Sequence, residues 1–173
     1  ADEDLSRWDM QLTGGEYYTT HRSTFRTQVD VVLPSGYAVL NAEDELVADF
    51  AELCDGEVIL FACDAANPIL LAHIAAGKRG VTVVDKRIVL RCGNDETKLS
   101  RLVDAPYIGK PKQPKQIANV LAGIAGGWAL GLSKEVLSTG IKTFGLDEID
   151  PADLLPLRSK QSKPAKKPAT QRK

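Results

Sequence analysis

Apolar positions along the chain switch between two periods, and the switches mark its elements. Phe25, Val29 and Val32 recur at helical spacing and are closed by Pro34-Ser35-Gly36, a turn signal. Residues 37–40 form a short apolar run that reads as a strand. Asn41-Ala42-Glu43-Asp44 then leads into a helix with an apolar face of Leu46, Val47, Phe50, Ala51, Leu53 and Cys54. Asp44 is placed to cap that helix, and Asp55-Gly56 ends it. Residues 58–61 read as a second buried strand. Asn67-Pro68 opens another helix, with the proline at its first position and Gly77 beyond its end. Residues 81–84 read as a third strand. Strands alternating with helices predict a parallel α/β sheet.

The pattern then changes. Asp85-Lys86-Arg87 turns the chain into residues 88–91, and Gly93-Asn94-Asp95 turns it again. This predicts a small antiparallel hairpin at the sheet edge, near residues 81–103. Two helices follow, over 116–130 and 134–143, joined at Gly131-Leu132-Ser133. Ser133 is placed as an N-cap with Glu135 in the first turn. The helix pair should pack together as a final layer. The first of these helices carries Gly123, Gly126 and Gly127, each costing about 0.5–1 kcal/mol against alanine. Close packing of that helix on its neighbours is the expected reason. The expected organisation is a poorly defined segment over 1–21, an α/β domain over 22–150 and a tail over 151–173.

Composition supports a folded protein: 43% of the 173 residues are hydrophobic and 26% charged. No run is long and apolar enough for a membrane span. The first ten residues are acidic and polar, unlike a targeting segment. Cys54, Cys63 and Cys92 are few, odd in number and widely spaced, which fits inert, partly buried thiols of a cytoplasmic protein. The net charge of −1 hides a division. Residues 158–173 hold seven basic residues and no acids, while the remainder holds 15 basic and 23 acidic residues. The basic stretch lacks large apolar residues and is expected to be a solvated tail. Binding of nucleic acid or another polyanion through it is the less favoured reading, because no aromatic residue interleaves the charges.

Candidate chemistry is sparse. No G-x-x-x-x-G-K-[ST] phosphate loop occurs, nor a G-x-S-x-G nucleophile motif, nor a metal-ligand spacing of Cys, His or carboxylates. No catalytic residue and no metal ligand can be nominated. His73 lies among Leu70, Leu71 and Ile74 and reads as a structural side chain. Asn41 and Asp44 follow the first strand, at the carboxyl end where open α/β sheets place ligands. Asn119 lies in the first turn of its helix, and an amide can pair with a base edge through one donor and one acceptor. The alternative for Asn41 and Asp44 is a turn and a cap; for Asn119 it is an ordinary residue near a helix start.

Two stretches resemble the Mur-ligase-like half of the cyanophycin synthetases. Gly36 to Asp44, G-Y-A-V-L-N-A-E-D, is similar to the family's G-x-A-V-L-N-A-x-D. Gln116 to Leu132, Q-I-A-N-V-L-A-G-I-A-G-G-W-A-L-G-L, is similar to its N-x-L-A-A-x-A-A-x-x-x-L-G helix. The order of the two is kept, and the resemblance runs from residue 26 to residue 147. It implies a partial Mur-ligase-like central domain from an ATP-dependent ligase that adds L-arginine to aspartate side chains of cyanophycin. It also implies that Asn119 contacts the adenine of ATP and that the Asn41-to-Asp44 loop lies near the nucleotide. The family's phosphate loop and closing domain have no counterpart within these residues. Its Gly-Gly-Arg-like loop is replaced by Gly109-Lys110-Pro111-Lys112-Gln113-Pro114-Lys115. ATP binding is therefore expected to be weak or vestigial, and Mg²⁺ is expected only in a complete enzyme. The alternative is a non-catalytic interaction module of the same fold, pairing with a full-length ligase or with itself.

Overall fold

The computed structural model describes residues 23–108 and 114–144. Helix α1 covers residues 23–30 and buries Val29. Strand β1, Tyr37–Asn41, pairs in parallel with β2, Glu57–Phe61. Between them runs α2, Glu45–Asp49, continued by a 3-10 turn over Phe50–Leu53. The helix is shorter than its apolar face predicts because the Phe50 N–H reaches back to Val47 O, tightening the backbone as Phe50 enters the core. Helix α3, Pro68–Ala75, starts as expected: Asn67 Oδ1 accepts from the Leu70 N–H at 2.9 Å, and Pro68 opens the helix. Gly77 follows with φ +79°, a backbone shape suited to glycine just past a helix end.

Strand β3, Arg79–Val84, lies parallel to β2 and antiparallel to β4, Arg87–Cys92. Asp85 and Lys86, at φ +49° and +62°, form the two-residue turn between them, a shape that matches strand twist. Strand β5, Asp95–Arg101, pairs antiparallel with β4. The antiparallel part is thus a three-stranded meander continuous with the parallel part, larger than the expected hairpin. The polar sequence of β5 hides its role: only Leu99 and Ser100 are buried on it. The sheet order is β1-β2-β3-β4-β5. Helices α4, Pro114–Ala129, and α5, Lys134–Thr143, complete the described chain.

The alternation of side chains splits the interior in two. On one face Ala38, Leu40, Val58 and Leu60 pack with Val29, Phe50, Leu70 and Ile74 of the three early helices. On the other, Ile59, Phe61, Val81, Ile88, Leu90 and Leu99 pack with Leu121, Ile124 and Ala125 of α4 and Leu137 and Ile141 of α5. The result is a three-layer α/β domain with a mixed five-stranded sheet, consistent with part of a Mur-ligase-like domain. Gly80 permits close approach of α3: a Cβ there would lie 2.8 Å from Ile74 Cγ1. Among the described residues no helix is long and apolar enough to cross a membrane. The expected segments 1–21 and 151–173 lie outside the described residues.

Candidate functional site

The carboxyl ends of β1 and β2 carry one candidate site, and its polar groups are largely turned on each other. Asn41 Oδ1 accepts from the Glu43 N–H at 3.0 Å. Asp44 Oδ1 accepts from the N–H groups of Leu46 at 3.1 Å and Val47 at 3.3 Å, the cap expected of it. Glu43 Oε1 accepts from the Asp64 N–H at 2.9 Å, and Asn67 Nδ2 donates to Ala42 O at 3.1 Å. These bonds tie the loop after β1 to the loop after β2. Cys63 sits beside Glu43, and its thiol is pushed up to about 11, first by burial and then by the charge and hydrogen bonding of that carboxylate. Such a thiol is a poor nucleophile at neutral pH. All three cysteines are partly buried and outside any disulfide.

Helix α4 runs back along the sheet from this end. Arg79, at the start of β3, shows the direction. Its guanidinium lies 4.9 Å from the Tyr37 ring and 5.1 Å from the Trp128 ring, and its Nη1 donates to Trp128 O at 3.1 Å. The late turns of α4 thus lie over the amino ends of the strands, and its early turns lie toward the Asn41-to-Asp44 loop. Asn119 shares that end of the sheet but is exposed on the outer side of α4. It lines a groove of about 560 Å³ between α4 and α5, together with Tyr107, Gly123, Val136, Gly140 and Phe144. Helix α5 packs against β5, the edge opposite β1. The structure gathers Asn41, Glu43 and Asp44 at one crest and sets Asn119 in a different cleft, with its amide making no hydrogen bond among the described residues.

The helix glycines do not all have the expected explanation. A Cβ at Gly127 would meet Leu137 Cδ2 at 2.6 Å, so this glycine lets α5 close on α4. Gly123 and Gly126 meet nothing within 4 Å. Packing therefore accounts for one of the three. Sequence reading also missed Gly140, which opens the facing wall of the groove with nothing within 4 Å. The signal was present as a glycine inside a short amphipathic helix.

His73 is structural, as its neighbours imply. Its Nε2 lies 3.1 Å from Val58 O. Burial, the largest influence, holds the imidazole below its usual titration range. Among the described residues no group of three or more His, Cys, Asp or Glu side chains could hold a metal ion.

No family model matches the chain. Over 115 residues, 66% of this chain, it is 32% identical to cyanophycin synthetase from Synechocystis sp.. The chain is similar to part of cyanophycin synthetase. A second such enzyme, from Crocosphaera subtropica, is 31% identical over 115 residues. The chain spans 13% of the length of each of these relatives. A UDP-N-acetylmuramoylalanine--D-glutamate ligase from Symbiobacterium thermophilum is 29% identical over 136 residues, 78% of this chain and 27% of that protein. By name these relatives are two synthetases and a ligase, and the two stretches that carry the cyanophycin synthetase resemblance fall on β1 with its following loop and on α4.

Proposed function

We propose that this chain is a piece, or a degenerate relative, of an ATP-dependent ligase of the cyanophycin synthetase kind. In the whole enzyme the reaction adds L-arginine to the aspartate side chains of cyanophycin. The observation that carries this reading is the 32% identity over 115 residues. The role of the described part would be the adenine side of a nucleotide site. Asn119 would contact the base with its uncommitted amide, and the loop of Asn41 and Asp44 would lie along the same end of the sheet. Mg²⁺ and the phosphates belong to the complete enzyme in this reading, because no phosphate cradle occurs in these residues.

Positioning of reacting groups can account for about 7–11 kcal/mol of a barrier. Without that cradle the purified chain should neither hydrolyse ATP nor join arginine to an aspartate polymer. Any AMP or ATP bound should bind in the millimolar range, about −4 kcal/mol, with little discrimination between the two. Titration of amide shifts with each nucleotide, against Asn119→Ala, tests this. Strong preference for ATP, or shifts unchanged by Asn119→Ala, would overturn the assignment. A non-catalytic module of the same fold is the second reading, favoured by the crest residues bonding to one another. It predicts no nucleotide shifts and a stable complex with a full-length ligase.

A further inference from the structure

Arg79, the first residue of β3, joins the sheet to the end of α4. Strand β3 is paired on both sides, to β2 and to β4, so its first residue has a firm base. The guanidinium meets the rings of Tyr37 on β1 and Trp128 on α4, at 4.9 and 5.1 Å from their centres. Its Nε donates to the Glu57 carboxylate of β2, and its Nη1 donates to Trp128 O. Trp128 O also accepts from the Gly131 N–H at 3.0 Å. Carbonyls of a last helical turn lack donors within the helix, and a cation there meets the negative end of the helix dipole. The Arg79 side chain is only 16% exposed, so water screens these contacts little.

The stripe of α4 that lies over the sheet is mostly alanine. Ala118, Ala122, Ala125 and Ala129 recur at helical spacing, and all pack in the core beneath the helix. Methyl groups make shallow ridges, which oppose a turn of the helix about its axis only weakly. Leu121, wholly buried, seats the middle of the helix, and Arg79 seats its end. We propose that Arg79 is a positioning residue for the Asn119 amide. It fixes the rotation of α4 about its own axis, and so the direction in which Asn119 faces the groove. Asn119 and Trp128 are nine residues apart, which is about 2.5 turns and about 13.5 Å along the axis. They therefore lie on opposite sides of the helix, the indole toward the clamp and the amide outward. A slip of one residue would turn α4 by about 100° and carry Asn119 out of the groove. The nucleotide reading enters only in what the amide would bind there.

The test uses the full chain, labelled for NMR, as Arg79→Gln. Residual dipolar couplings of α4 should no longer fit one orientation with those of the strands. The Asn119 side-chain amide signals should move, although they lie far from the substitution. AMP should bind about threefold or more weakly than to the unaltered chain. Glu57→Gln leaves α4 and Arg79 intact and removes the carboxylate that holds the guanidinium. It should change the couplings and the Asn119 signals in the same direction, which keeps the test decisive if Arg79→Gln fails to fold. A lowered melting temperature with unchanged couplings and Asn119 signals would make Arg79 merely stabilising and would overturn the proposal. So would AMP bound equally well by Arg79→Gln. If α4 turns as expected but AMP shifts no signal even in the unaltered chain, the nucleotide reading fails and the role of Arg79 stands.

Discussion

Cys63 and His73 show how burial sets the chemistry of single residues. The Cys63 thiol is held up to about 11 by burial and by Glu43, so little thiolate exists at neutral pH. Glu43→Gln removes the carboxylate's part of that shift. Alkylation of Cys63 at pH 8, followed by mass spectrometry, should then be several-fold faster than in the unaltered chain. An unchanged rate would show that burial alone controls it. His73 gives a pH dependence of stability. The unfolded imidazole titrates near 6.5 and the folded one lower, so the unfolded state binds more protons across that window. Stability should be complete above about pH 6.5 and should fall as pH drops through the folded value. Melting temperatures between pH 7.5 and 5 should show this loss, and His73→Gln should lessen it. A melting temperature flat over that range would refute it.

At the scale of elements, β1 exposes a consequence of parallel pairing. The Ala42 N–H donates to Phe61 O, and the Glu57 N–H donates to Gly36 O. By that register Ala38 and Leu40 bond to β2, while the backbone groups of Tyr37, Val39 and Asn41 face the outer edge. Among the described residues no strand pairs there. The Val39 amide should exchange hydrogen at least about a hundredfold faster than that of Leu40 in the same strand. Equal protection, read by NMR, would mean that another strand is bonded to this edge. Such an edge, apolar and without lysine or proline, is a natural point of strand addition. The interaction-module reading would use it.

At the scale of the whole molecule, the described residues form one sheet shared by two cores. Ile59 and Leu60 are neighbours in β2 yet belong to opposite cores, Ile59 beneath α4 and Leu60 beneath the early helices. Because one sheet backs both, the two cores should unfold together. Ile59→Ala and Leu60→Ala should each cost about 2–5 kcal/mol and keep a single transition. Two separate transitions in calorimetry would show that the faces are independent.

Much of this architecture follows from local rules. Period-two and period-3.6 apolar runs locate β1 to β4 and the α-helices among the described residues. Asp44, Asn67-Pro68 and Ser133 mark helix starts through their capping hydrogen bonds, and each bond is present. Strand β5 escaped because its polar residues face solvent and only its pairing with β4 makes it a strand. Asn41 and Asp44 were legible as candidates, but only the folded loops show their oxygens spent on the Glu43, Leu46 and Val47 N–H groups. The side of α4 that bears Asn119 depends on how the helix docks on the sheet, a contact between residues distant in sequence. The same docking leaves Gly123 and Gly140 facing an open groove. By itself the sequence determines the order and kind of most elements, because turns, caps and periodicity act over a few residues. The tertiary structure decides which polar groups remain free and which surfaces face one another, because packing brings together residues that no local pattern connects.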